Sequence, residues 1–86
     1  MSKKNKLLKR LLSRPTDFTF NEAISLLSYY DYDLDQSYSG SRVRFKNKDL
    51  GTQIVFHKPH PQNVLKDYVL DIIITQLRKD GSIWIM

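Results

Sequence analysis

The chain has no cysteine. That excludes a disulfide framework and a thiolate zinc site, and it is compatible with a reducing cytosol. It also has no apolar run approaching the roughly 20 residues that a bilayer-spanning helix needs. The start carries leucines but no long apolar stretch, and Lys9, Arg10 and Arg14 interrupt it, so it reads as no signal peptide. Internal repeats and low-complexity linkers are missing. The 86 residues therefore read as one domain, 1–86, with its core at about 18–80. A chain this short buries only about 60% of its unfolded surface, so its core has to be compact. Asp31, Asp33 and Asp35 invite a calcium reading, but the loop lacks the required glycine and the distal glutamate. No metal and no other cofactor is expected.

What the chain does have is basic charge. Fourteen lysines and arginines outnumber nine acids, for a net charge of +5. Such a balance points to a polyanionic partner, with nucleic acid first and an anionic membrane surface second, and equally to a merely basic soluble surface. The charge is not uniform. Lys3, Lys4, Lys6, Lys9, Arg10 and Arg14 crowd the start, and Arg42 to Lys48 form a second block.

Leu7, Leu8, Leu11 and Leu12 recur at helical spacing and predict a short helix over 3–14, stopped by Pro15. A basic amphipathic helix can lie on a membrane or on RNA. The plainer reading is that it docks its leucines on the core, because so short a helix is marginal without tertiary packing. Thr19-Phe20-Asn21-Glu22 has the form of a capping box, with Phe18 placed to staple towards Ala23. Phe20, Ala23, Ile24 and Leu27 make the buried stripe of this second helix, which ends near Tyr29 or Tyr30. Tyr32, Leu34, Gln36 and Tyr38 alternate along a first strand, with Asp33 and Asp35 on its other face. After Pro61, Asn63 is positioned to cap a third helix whose stripe runs Leu65, Val69, Ile72, Ile73 and Gln76 or Leu77. Gly81 is a natural residue to follow its end. The apolar tail Ser82–Met86 docks on the helices, adds an edge strand or contacts a partner, and Trp84 is a core plug or an interface anchor.

The centre of the chain is a predicted hairpin. On Ser41–Lys48, Val43 and Phe45 point one way, and Arg42, Arg44, Lys46 and, by the same alternation, Lys48 point the other. On Thr52–His57, Ile54 and Phe56 join the core, leaving Val55 and His57 outside. The fold class that follows is α+β: a three-stranded antiparallel sheet with helices on one face, plus an extra N-terminal helix and the apolar tail. The open face would be cationic and would carry His57, with His60 just beyond between two prolines. Histidine suits proton transfer near neutral pH, and arginine suits a phosphate through its bidentate fork. His57 with Arg42 and Arg44 is thus a candidate set for metal-independent RNA cleavage, supported by Ser41, Lys46, Lys48 and His60 as RNA contacts. Tyr32, Tyr38 or Phe45 would stack a base if exposed. The competing readings are RNA binding without catalysis, a charged outer strand face with a structural histidine, and an interaction protein working through the Trp84 tail and the Leu7–Leu12 helix.

The run Gly40-Ser41-Arg42-Val43-Arg44-Phe45, followed by His60-Pro61-Gln62-Asn63-Val64-Leu65-Lys66-Asp67-Tyr68-Val69-Leu70, resembles HicA-type (YcfA-like) toxins. Their pattern is Gly-Ser-His before a hydrophobic and aromatic strand, a second strand, a His-Pro turn and a helix with a Leu-Lys pattern. The resemblance covers about Phe18 to Leu77. It implies a fold similar to a double-stranded-RNA-binding domain and a cytoplasmic mRNA interferase, an RNA endonuclease of a type II toxin–antitoxin system. It also implies a HicB-type antitoxin protein as partner, covering the sheet face. Self-association through the Trp84 tail is a further candidate contact. One departure matters: the family's catalytic histidine follows Gly-Ser, and here that position is Arg42. Either His57 supplies the imidazole from the neighbouring strand, or the protein is an RNA-binding module, or a toxin fold serving another purpose.

Overall fold

The computed structural model describes residues 2–35, 42–59 and 62–83. The elements run α1 (Lys3–Leu12), α2 (Phe20–Ser28), β1 (Tyr32–Leu34), β2 (Arg42–Asn47), β3 (Thr52–His57) and α3 (Asp67–Lys79). The strands form one antiparallel sheet in the order β1-β2-β3. Helix α2 packs beside β1 and α3 beside β3, while α1 rests on both helices. The expected α+β architecture, with the helices gathered on one side of the sheet, is what the chain adopts.

The local signals explain most of these elements. Thr19 caps α2 by accepting from the Glu22 amide, and the Glu22 carboxylate accepts in return from the Thr19 amide at 3.0 Å. Phe18 is fully buried ahead of it, as a staple residue should be. Strand alternation drives Phe45, Ile54 and Phe56 into the core, where Phe20 meets Phe45 and Phe56 edge-on at 6.3 and 6.2 Å. Tyr32 is buried, but its hydroxyl donates to the Asp80 carboxylate and lies 2.6 Å from Thr52 Oγ1. Burial, helped by Asp80, pushes that hydroxyl up to about 12. This phenol ties the end of α3 to two strands. Gly81 follows with φ +73°, and the Ser82 amide reaches back to Leu77 O, closing the helix as a Schellman turn.

Three expectations are corrected. Helix α3 begins at Asp67, capped at Lys66, so Asn63 caps nothing. Its segment is instead taken by a strand-like pairing: Asn63 O accepts from the Phe20 amide at 3.0 Å, and the Leu65 amide donates to Phe18 O at 2.8 Å. Leu65 is buried, but ahead of the helix, and Leu70 and Ile74 replace Ile72 and Gln76 on the buried stripe. Helix α1 stops at Leu12, and of its leucines Leu7 and Leu11 are buried, Leu8 packs partly and Leu12 is exposed. Lys48 lies in the hairpin loop, where Asn47 turns the chain by accepting from the Leu50 amide at 3.0 Å. It does not extend the outer row of β2. Gln36, Tyr38 and the Trp84 tail lie outside the described residues, although Ile83, which leads into the tail, is buried in the core.

Candidate functional site

The outer face of the sheet is built by register. Arg42 stands directly opposite His57, Arg44 opposite Val55, and Lys46 between Asp33 on β1 and Gln53 on β3. Opposed residues on one face have Cβ atoms about 4.5–5.5 Å apart. Both Arg42 and His57 are exposed, and among the described residues neither is held by an ion pair. Lys46 is exposed in the same way. The sheet therefore places the guanidinium of Arg42 and the imidazole of His57 as neighbours at one end of an open face.

Arg44 differs. Its Nε donates to Asp35 Oδ2 at 3.1 Å and its Nη2 donates to the same oxygen; only 26% of the Arg44 side chain and 16% of the Asp35 side chain remain exposed. The Asp35 amide also donates to Arg44 O at 2.7 Å, so the pair is fixed by backbone as well as by charge. Asp35 thus neutralises part of the basic strand. The positive potential of the face is carried by Arg42 and Lys46 more than by Arg44. Of the other candidate residues, Ser41 and His60 lie outside the described residues, and Lys48 is exposed in the loop at the far end of the hairpin from His57. Tyr32 and Phe45 are buried and present no stacking surface.

The two arginines of the first basic block are paired with acids. Arg10 clamps Glu22 with Nε–Oε2 at 2.7 Å and Nη2–Oε1 at 3.0 Å, and also donates to Asp17. The hydrogen bond from Arg10 holds the Glu22 carboxyl below its usual range, despite some desolvation. Arg14 donates to Asp71 at 2.8 Å and to Asp67 at 3.5 Å. Lys3, Lys6 and Lys9 of α1 are exposed, and Lys4, half-buried, lies over the ring of Tyr30 at 4.7 Å.

His57 also borders a groove of about 640 Å³. Its walls come from the α1–α2 connection, the end of β3 and the first turn of α3. Sequence reading did not find it, because Arg14, Pro15 and Thr16 lie more than forty residues before the rest of its lining. Among the described residues no three histidines, acids or cysteines gather as a metal site, and no helix is long and apolar enough to cross a membrane.

Against family profiles, residues 20–79 match the HicA toxin of bacterial toxin–antitoxin systems. The chain belongs to the HicA toxin family. The match spans α2, the whole sheet and α3, so the outer face with Arg42 and His57 lies inside it, whereas α1 precedes it. Searches of curated proteins and of solved structures return no match. As a HicA-type chain it is the toxin of a toxin–antitoxin pair.

Proposed function

We propose that this toxin is an RNA endonuclease of the mRNA interferase type, working without a metal and neutralised by a HicB-type antitoxin that covers the outer sheet face. The observation that carries the reading is the cross-strand pair Arg42–His57 on that open face. One imidazole takes the proton of a 2′-hydroxyl; the freed oxygen attacks the adjacent phosphorus; the bond to the 5′-oxygen breaks, and an acid returns a proton to that leaving oxygen. The products are a 2′,3′-cyclic phosphate and a 5′-hydroxyl. His57 performs one of the two proton transfers, and His60 is the candidate for the other. Arg42 holds the phosphate and steadies the charge that builds on it. Lys46 extends the cationic track along the strand, and Lys48 and Ser41 are further candidate RNA contacts.

A second reading has its own support. With arginine at the family's histidine position, the face binds RNA without cutting it. One experiment separates the two: a labelled RNA incubated in EDTA with wild type and with His57→Ala, cleavage and binding both being followed. Cutting by wild type and not by a variant that still binds is the expected result. Bound but uncut RNA with folded wild type would make the protein a binding module.

A further inference from the structure

The groove beside His57 has the composition of a nucleotide subsite. Pro15, Pro59, Val64 and Val69 give it apolar walls, and Tyr68, half exposed, stands in its lining. Lys58 and Lys66 are exposed at its edge, and among the described residues neither is engaged by an acid. A groove that combines apolar side chains, an aromatic ring and two exposed lysines matches a base between two phosphates. Stacking on an aromatic ring needs no particular base edge, and lysines serve the flanking backbone. The groove is continuous with the proposed cutting site through His57, which belongs to both. Its volume of about 640 Å³ is ample for one nucleotide. Arg14 also lines it but is bridged to Asp67 and Asp71, so it shapes the wall rather than adding a third phosphate contact.

We propose that this groove takes the base of the nucleotide next to the scissile bond, stacked on Tyr68, with its phosphates on Lys58 and Lys66. The inference rests on the RNA-cleaving reading and adds to it a position on the protein that decides which base flanks the cut. Tyr68 is a positioning residue: it acts on the substrate's placement, not on the reacting atoms.

The test is a randomised, end-labelled RNA pool treated with wild type, Tyr68→Ala, Tyr68→Phe and the Lys58→Ala/Lys66→Ala pair. The cut ends and the bound fraction are both sequenced. Wild type should show a base preference at one position flanking the cut. Tyr68→Ala should flatten that preference and raise KM about tenfold, with kcat little changed. Tyr68→Phe, which keeps the ring, should behave as wild type. The lysine pair should weaken binding evenly across sequences. Should wild type bind without cutting, the same preference is sought in the bound fraction. Tyr68→Ala with an unaltered preference and KM overturns the subsite while leaving the RNA reading intact. A folded wild type that neither binds nor cuts RNA overturns both. Loss of antitoxin binding in Tyr68→Ala, with RNA handling unchanged, would make the groove a protein contact and likewise overturn the proposal. Because Tyr68 is half exposed, its removal should leave the melting temperature near that of wild type, which a thermal melt verifies.

Discussion

The two basic blocks look alike in the sequence and are used in opposite ways. In the first, both arginines turn inward to acids: Arg10 to Glu22 and Asp17, and Arg14 to Asp67 and Asp71. They tie α1 and the chain that follows it to α2 and α3. In the second, strand geometry fixes the basic side chains on the face away from the core, and Asp35 takes up Arg44 alone among them. Arg42, opposite His57, and Lys46, opposite Gln53, are left facing solvent. A formal charge of +5 therefore says little about where a polyanion would sit. Packing draws arginines of both blocks to acids, and among the cations it leaves exposed are Arg42 and Lys46 on the sheet and Lys3, Lys6 and Lys9 on α1.

The largest effect that would sharpen this contrast is on RNA affinity. Arg42→Ala combined with Lys46→Ala should weaken binding by about 10- to 100-fold. It should also flatten the dependence of log K on log salt by about 1.4, at roughly 0.7 per lost single-strand phosphate contact. Both side chains are exposed, so thermal stability should hold. A salt titration by fluorescence anisotropy reads the slope, and an unchanged slope would mean that RNA does not lie on this face.

Arg10→Ala should do the reverse. It removes the fork on Glu22, whose own hydrogen bonds close the α2 capping box. Solvent screening of a partly exposed pair limits the loss to about 1 kcal/mol. In a domain of this size that lowers the melting temperature by about 4–8 °C. RNA affinity should change less than twofold. A large loss of affinity without a loss of stability would erase the distinction between the blocks.

The division of labour was only partly readable in advance. The capping box, the strand alternation and the outward placement of Arg42 and His57 are local patterns, and the fold follows them. What escaped depends on partners distant in sequence. Asn63 has the chemistry of an N-cap, yet its segment pairs with Phe18–Phe20, and α3 starts later at Asp67. Arg14 finds its acids 53 and 57 positions away. The groove beside His57 draws on three separated segments, so no window of sequence contains it. The placement of Asp33 and Asp35 on one face of the first strand was legible, but that Asp35 holds Arg44 required the fold.

Asp35→Asn tests that last point. It leaves a hydrogen-bonding side chain beside Arg44 but removes the countercharge. The outer face gains one positive charge, and RNA affinity should rise about threefold, more at low salt.

A smaller effect belongs to pH. The Glu22 carboxyl is held below the usual value of 4.5, first by its hydrogen bond from Arg10. A carboxyl depressed in the fold adds stability above its unfolded value, and that stability is lost as pH falls through the folded value. Wild type should therefore lose part of its thermal margin over Glu22→Gln as pH drops below about 4.5. Parallel melting curves that keep a constant separation down to lower pH would show that the pair contributes nothing through titration.

The smallest effect is expected at Arg14. Its guanidinium is exposed, and its hydrogen bond to Asp71 raises its pKa without burying it. Exposed pairs of this kind are screened by water and salt and often contribute nothing measurable. Arg14 also sits at φ 51°, directly after α1, in a region where a side chain is a hindrance. Arg14→Gly removes the pair and relaxes the backbone together, so its melting temperature should match or slightly exceed that of wild type, while Arg14→Ala keeps the hindrance and should fall marginally below Arg14→Gly. The two variants have the same charge, so their RNA affinities should agree, and any difference between them from wild type would be electrostatic and abolished by salt. If both instead melt well below wild type, then Arg14 holds the chain after α1 to α3 as firmly as Arg10 holds α1 to α2, and both arginines of the first basic block are structural.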